Sequence, residues 1–378
     1  MGGKMLRFLT SGESHGKCLV AILEGMVAGL VVDPGEINKE LARRQEGYGR
    51  GGRMSIEKDQ AEILSGVRDK KTIGGPIALL VPNKDFKINE LSVVKRPRPG
   101  HADLVGVIKY GREDVRDILE RASARETTAR VAVGAVCKIF LKEFGVDILS
   151  HVVSIGGVAA DTRDMDFDEI QKASVGSPMH CADKAAEKKM MARVDEAKIS
   201  KDTIGGVFEV IVKGAPVGLG SFVHYDRRLS AALCAGLMSI QAVKGVEVGM
   251  GFKVSETLGK HVHDEILHDK KRGFYRKTNN AGGLEGGVTN GENIVLRAAT
   301  KPYATLMSPL GSVNIDSKEK DVATIERSDV TAVPACGVVG EAMTAFEIAK
   351  AFLDKFGGDS LKEVRRNFES YQKQVAEF

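Results

Sequence analysis

Leu6, Phe8 and Thr10 alternate with residues of other types, a period-two pattern that predicts a short strand at the start of the chain. Gly12-Glu13-Ser14-His15-Gly16 follows as a tight turn, and an apolar run from Cys18 to Leu23 predicts a second strand. Asp33-Pro34-Gly35-Glu36 reads as a helix start, with an N-cap, a proline in the first turn and an acid behind it. Ile37 and Leu41 give that helix its apolar face. Helical spacing returns after Ser123, with Val131, Ala135 and Ile139 on one row and Ala132, Val136 and Phe140 on the next. Gly145 is its expected stop, and Ala129, Ala132, Gly134 and Ala135 invite close packing by a neighbour. Thr72-Ile73-Gly74-Gly75-Pro76-Ile77 leads into a strand at Ala78–Val81, and Thr203-Ile204-Gly205-Gly206-Val207-Phe208 into another at Glu209–Val212. The repeated phrase predicts two similar halves, each mixing antiparallel strands with helices. Residues 161–201 are charged and helical in pattern and predict an outer layer, and Leu229–Val243 turns small and apolar. The chain after Lys350 reads as an amphipathic surface helix.

Composition narrows the class. A chain of 378 residues, 43% hydrophobic and 28% charged, is a soluble globular protein. Cys18–Val32 is the most apolar stretch, and it is too short and too glycine-rich to span a membrane. No signal peptide is visible. Five scattered cysteines without a C-x-x-C pair read as reduced thiols, which predicts a cytoplasmic protein. A net charge of +4 is too small to argue for nucleic acid as a partner.

The placement of the basic residues says more than their sum. Ser123 followed by Glu126 is the capping-box pattern and predicts a helix start there. Arg121 and Arg125 would then stand at the positive end of the helix dipole, where cations are disfavoured. An anion held by the free N–H groups and both guanidinium groups would resolve the conflict. The alternative is two solvated arginines with Glu126 as a partner. Arg43, Arg44, Arg50 and Arg53 sit in a glycine-rich stretch suited to gripping phosphate or carboxylate. Gly47-x-Gly49-x-x-Gly52 matches the dinucleotide fingerprint by letter, but it follows a helix rather than a strand, which excludes a Rossmann reading. Arg96-Pro97-Arg98-Pro99-Gly100-His101-Ala102-Asp103 is a proline-stiffened loop presenting Arg98 and His101, a candidate acid facing an anion. Residues 259–280 carry His261, His263, Asp264, Glu265 and His268 at no structural-zinc spacing, and read as a mobile flap over a site rather than a metal centre. Glycines 282, 283, 286, 287 and 291 predict tight turns, and Lys301–Leu306 with Arg327-Ser328-Asp329 complete the loops with chemistry.

These motifs, in this order, resemble the chorismate synthase family along nearly the whole chain. The resemblance rests on Gly12–Gly16, on Arg121-Ala122-Ser123-Ala124-Arg125-Glu126-Thr127, and on Arg327-Ser328-Asp329 followed by Gly340-Glu341-Ala342-Met343. Gly49-Arg50-Gly51 and Arg98–Asp103 add to it. It implies an α+β fold with helices sandwiched between largely antiparallel sheets and two pseudo-repeated halves, residues 1–378 forming one domain. It implies a carbon–oxygen lyase that removes phosphate from 5-enolpyruvylshikimate 3-phosphate by anti-1,4-elimination to give chorismate, the last common step of the shikimate pathway toward the aromatic amino acids. Reduced FMN is required without net redox change, and the family is typically a homotetramer. By the same resemblance His15, His101 and Asp329 are catalytic, with His15 protonating the flavin, His101 supplying a proton where phosphate leaves and Asp329 near flavin N5. Ser14, Arg44, Arg50, Arg53, Arg98 and Arg125 are expected to bind substrate or NADP. Arg121, Ala122, Ser123, Gln241, Ala242, Gly286, Lys301, Pro302, Tyr303, Ala304, Thr305 and Arg327 are expected to contact the flavin. No metal is expected.

Two other classes stand against this reading. Gly12-x-Ser14-x-Gly16 is also the nucleophile-elbow pattern of serine hydrolases, though only one short strand precedes it here. An anion- or RNA-binding module would use the arginine loops, but it leaves His15, His101 and Asp329 unexplained and lacks aromatic stacking runs.

Overall fold

Two antiparallel sheets enclose a layer of helices. A computed structural model describes residues 6–51, 58–270, 272–326 and 328–378; Arg53 and Arg327 therefore lie outside the described residues. The first sheet orders strands Arg7–Ser11 (β1), Cys18–Glu24 (β2), Glu62–Ser65 (β3) and Ile77–Pro82 (β4) as β1-β2-β4-β3. Leu19, Ala21 and Leu23 of β2 and Ile77, Leu79 and Val81 of β4 are buried, as period two requires of one face against a core. The second sheet orders Asp147–Ile155 (β5), Val158–Ala159 (β6), Gly206–Lys213 (β7), Val243–Val248 (β8) and Ile294–Thr300 (β9) as β8-β9-β7-β5-β6. All pairings in both sheets are antiparallel.

Helices Pro34–Gln45 (α1), Thr127–Lys142, Leu229–Met238 and Val333–Phe356 fill the space between the sheets. Helix 127–142 packs on the first sheet, 333–356 packs on the second, and the two pack on each other. The small residues anticipated at Ala129, Ala132, Gly134 and Ala135 serve that contact: a Cβ at Gly134 would stand 2.3 Å from the Ala342 Cβ. One continuous cluster of buried side chains runs through both sheets and the helix layer. Helices Phe167–Ser174 and Lys184–Ile199 cover the far face of the second sheet, the outer layer expected from their charge pattern. Asp33 caps α1 by accepting from the Gly35 N–H at 3.0 Å, with Ile37 and Leu41 fully buried below it.

Each half runs strand, strand, helix, strand, strand, helix, and the strand order within the two sheets corresponds. The hydrogen bonds repeat as well. Thr72 Oγ1 donates to Val27 O at 2.6 Å and accepts from Leu30 N at 2.9 Å, while Gly29 N donates to Thr72 O at 2.8 Å. Thr289 Oγ1 donates to Pro216 O at 2.6 Å and accepts from Leu219 N at 2.8 Å, while Gly218 N donates to Thr289 O at 2.9 Å. The hairpin turns before these threonines use left-handed Asp69 and Lys70 in one half and Gly286 and Gly287 in the other. The two halves are real, but the phrase that suggested them matches them wrongly. Thr72-Ile73-Gly74-Gly75-Pro76-Ile77 corresponds to Thr289-Asn290-Gly291-Glu292-Asn293-Ile294, and the strand after Thr203 corresponds to β2.

The stretch 259–280 is a helical turn, Gly259–Val262, and a hairpin of Ile266–Asp269 with Gly273–Arg276. Asp264 ties it down by accepting from the backbone N–H groups of Asn280 and Ala281 at 2.8 and 2.9 Å. Among the described residues no cluster of three His, Cys, Asp or Glu side chains could hold a metal ion.

Candidate active site

The turn Gly12–Gly16 joins β1 to β2, and its sequence is forced by crowding. Gly12 has a φ of +108°, and a Cβ there would meet Cys18 O at 2.3 Å. Asn83, just past β4, braces the turn by donating to Glu13 O at 3.1 Å and Gly16 O at 2.8 Å. Ser14 is buried and His15 half-buried, with His15 Nδ1 3.0 Å from both carboxylate oxygens of Glu120. Because the turn joins two antiparallel strands, it lacks the strand-to-helix geometry of a hydrolase elbow.

The anomaly at Arg121 resolves differently from either reading of the sequence. Arg116–Ala122 is a short helix of its own, so Arg121 stands in its last turn, where a cation is favoured. Arg121 donates to Gly12 O at 3.1 Å and to Thr10 O at 3.0 Å, holding the turn from outside. Ser123 caps only a 3₁₀ turn, Ala124–Glu126, and the long helix starts at Thr127. The capping box does not close, because Glu126 accepts from Thr10 Oγ1 at 2.6 Å, Arg130 Nε at 2.8 Å and Gln241 Nε2 at 3.1 Å instead.

Arg125 points inward, and its counter-ion belongs to the protein. Asp59, fully buried at its side chain, lies 2.7 Å from Arg125 Nη1 and 3.1 Å from Arg44 Nη2. Burial works against the Asp59 charge, but the two guanidinium groups hold its carboxyl below the ordinary aspartate range. Burial lowers the proton affinity of Arg44, whose Nε is buried without a partner. Arg50 reaches its place because the glycine loop is pinned to residues 329 and 330. Val330 N donates to Gly49 O at 2.9 Å, Gly51 N donates to Asp329 Oδ1 at 2.6 Å, and Arg50 Nη1 lies 2.7 Å from Asp329 Oδ2. A Cβ at Gly51 would stand only 3.0 Å from Ser328 O, so the loop lies close against residues 328 and 329.

Asp103 organises the proline loop in the same way. It accepts from Arg98 Nε at 2.8 Å and Arg98 N at 3.0 Å, and it pairs with His101 Nδ1. Burial opposes the charge, and the hydrogen bonds from His101 and Arg98 hold the Asp103 carboxyl far below the usual carboxylate range. Arg98 Nη1 then reaches Thr305 Oγ1 at 2.8 Å, and Lys301 Nζ reaches Gly100 O at 2.8 Å, joining this loop to the segment after β9.

These loops converge on one cavity of about 420 Å³. Ser14, His15, Arg44, Arg50, Arg98, His101, Ser123, Arg125, Gln241, Tyr303, Ala304, Thr305 and Asp329 all line it. Lys301 and Ala242 stand beside it, with Lys301 N donating to Ala242 O at 2.9 Å. Ala242 has a φ of +74°, the left-handed strain that concentrates at functional sites. Ala122 and Pro302 adjoin the lining residues without being among them. Gly286 is the exception. It sits at the tip of a hairpin on the far end of β9 from Lys301, roughly 20 Å away along the strand, and lines a separate cavity with Arg228, His263 and Asp264. No described residue of 259–280 lines the histidine cavity; Val262, His263, Asp264, Ile266 and Asn280 line the separate one.

Asp59, Asn83, Asp85, Lys87, Asp103, Glu120 and Glu326 are site residues to which the sequence reading gave no part. Asp85, Lys87 and Glu326 line the cavity, and the others stand behind its lining. Cys336 also lines it, its thiol pushed up to about 12 by burial.

A deep cavity set with buried, carboxylate-held guanidinium groups and two histidines defines an enzyme for a small polyanion. The chain belongs to the chorismate synthase family, whose model matches residues 6–353. It is 54% identical over 99% of its length to the whole of the chorismate synthase of Geobacter sulfurreducens. It is 52% identical over 99% of its length to the whole of that of Bacillus cytotoxicus. A crystal structure of chorismate synthase superposes over all of both chains with a TM-score of 0.84 at 44% identity.

Proposed function

We propose that this chain eliminates phosphate from 5-enolpyruvylshikimate 3-phosphate to give chorismate, with reduced FMN bound in the histidine cavity. The observation that carries the reading is the convergence of His15, His101, Asp329 and four arginines from distant parts of the sequence on one cavity. The substrate, with two carboxylates and a phosphate, carries about three to four negative charges. Arg44, Arg50, Arg98 and Arg125 are aimed at it in advance by Asp59, Asp103 and Asp329, so little side-chain entropy remains to be lost on binding. The wall of the cavity suits a flavin: Gln241 Oε1 is buried without a donor, and the ring of an isoalloxazine carries one. Arg121, Ala122, Ser123, Gln241, Ala242, Lys301, Pro302, Tyr303, Ala304 and Thr305 would hold it, with Arg327. Gly286 lines the other cavity of this chain. Reduced flavin held there would supply electron density for loss of phosphate from the allylic carbon of the substrate.

The chain's own groups do the rest. His101, fixed by Asp103, presents a proton donor beside Arg98, where the leaving phosphate gathers charge. His15 lines the same cavity, held through Nδ1 by Glu120, and Asp329 offers an acceptor braced by Arg50 and the Gly51 amide. The same arginines supply the contacts that NADPH would use. We further propose a homotetramer of single-domain chains in the cytoplasm. No helix among the described residues is long and apolar enough to cross a membrane, and light scattering of the purified chain tests the assembly. The activity is tested by anaerobic assay. Chorismate is expected with chemically reduced FMN and none with oxidised FMN, and no net consumption of the reduced flavin. Consumption of one reduced flavin per product would replace the elimination with an ordinary redox reaction.

A further inference from the structure

Glu120 is 2% exposed and is not part of the cavity wall. It nevertheless takes up three donors of the Ser14–His15 turn. Its backbone carbonyl accepts from Ser14 N at 2.9 Å, its Oε2 accepts from His15 N at 2.8 Å, and both carboxylate oxygens lie 3.0 Å from His15 Nδ1. Arg116, one helical turn earlier, approaches Glu120 Oε1 at 3.3 Å and Glu326 at 3.1 Å, so the buried carboxylate does not stand alone. Arg121, the next residue, holds Thr10 and Gly12 on the strand side of the same turn. The last turn of helix 116–122 is thus a template on which the His15 turn is laid.

A carboxylate can only accept. The proton of a neutral His15 ring therefore sits on Nδ1, and Nε2 is left toward the cavity. Burial opposes the Glu120 charge, but the hydrogen bonds from His15, with the charge of Arg116, hold its carboxyl below the ordinary glutamate range. On the cavity side His15 Nε2 faces Asp85 at 3.7 Å, and Asp85 is itself paired with Lys87 at 2.7 Å.

We propose that Glu120 is the positioning residue of His15, fixing its tautomer and turning Nε2 to the reacting groups. This rests on the reading of His15 as a proton-handling residue of the site. The test is the nitrogen NMR spectrum of isotope-labelled protein without flavin, which distinguishes the two neutral tautomers directly. The wild-type ring is expected to carry its proton on Nδ1. In Glu120→Gln the side-chain carbonyl continues to accept from His15 N, while the amide donates to Nδ1 and drives the proton to Nε2. kcat is expected to fall at least about tenfold, the scale on which outer partners of a histidine matter, with KM within about twofold. A wild-type ring protonated on Nε2 overturns the proposal, and that result needs no variant to fold. An unchanged tautomer and kcat in Glu120→Gln also overturns it. His15→Ala with full kcat would instead refute the role of His15, while leaving the tautomer measurement to speak for Glu120 separately.

Discussion

Asp59 is the residue on which two of the cavity's guanidinium groups depend. Arg44 and Arg125 are both almost fully buried and close enough that Arg125 adds to the burial that disfavours the Arg44 charge. Without the shared carboxylate, two cations would remain in low dielectric with one counter-ion fewer, and breaking such a pair typically costs about 3–5 kcal/mol. Asp59→Asn is therefore expected to lower the melting temperature and to raise KM for the substrate at least about tenfold, which is about 1.4 kcal/mol. Calorimetry and steady-state kinetics check this, and a variant normal in both would mean that the arginines find other partners. The histidines and arginines of the site were legible in the sequence because glycine and proline mark the loops that present them. Asp59 was not, because it lies 15 residues from Arg44 and 66 from Arg125, and no local pattern ties a carboxylate to partners that far off. Asp103 stood inside a phrase that could be read and Glu120 directly before one, but their targets depend on where a neighbouring loop lands.

At the scale of elements, the strands at 7–11, 18–24 and 77–82 and helix α1 could be read from spacing and capping alone. The boundary near Ser123 could not. A seven-residue helix without a side-chain cap leaves little pattern, and Glu126 is drawn to Thr10, Arg130 and Gln241 by tertiary contacts that outweigh a local cap. The pairing of helices 127–142 and 333–356 tests how much the small residues matter. Alanine is the better helix former by about 1 kcal/mol. At Gly134, however, its Cβ would lie 2.4 Å from the Ala342 Cα and 2.8 Å from its carbonyl oxygen, so the helices must part. Gly134→Ala is expected to destabilise the protein by about 1–3 kcal/mol, the usual penalty for overpacking. Ala342→Gly in the same chain is expected to recover part of the loss. Denaturant titration of the single and double variants reads both numbers, and a more stable Gly134→Ala would show that the helices are not in close contact.

The whole molecule is joined at a buried charge cluster between its two halves. Glu341, in the second half's long helix, is fully buried and accepts from Arg43 of α1 at 2.7 and 2.8 Å, from Lys138 at 2.5 Å, and from Ser150 N and Oγ at 2.8 and 2.6 Å. Arg43 and Arg44 are adjacent, so the residue that locks the halves together also fixes the end of the helix that carries Arg44 into the cavity. The sequence showed the halves but not this joint, since the repeated Thr-Ile-Gly-Gly phrase aligned the wrong strands and Glu341 stood only as part of a signature. Burial opposes the charge of Glu341, yet Arg43 and Lys138 hold its carboxyl far below the ordinary glutamate range. Asp59 and Asp103 are lowered as well. A carboxyl whose folded pKa is depressed contributes stability that is fully present above its unfolded value, about 3.9 for Asp and 4.3 for Glu. That stability is lost as pH falls toward the folded value, because the unfolded chain takes up the proton first. Stability is therefore expected to hold from neutral pH down to about 4.5 and then to fall steeply, by about 1.4 kcal/mol per pH unit for each such group. Glu341→Gln keeps the shape but removes one titrating carboxyl and leaves Arg43 and Lys138 short of a counter-ion. It is expected to be less stable than the wild type at pH 7, with the acid slope reduced by about one proton. Denaturant unfolding at a series of pH values measures both quantities. Equal slopes for the two proteins would mean that Glu341 is not a charged keystone, and that the joint between the halves is held by its hydrogen bonds alone.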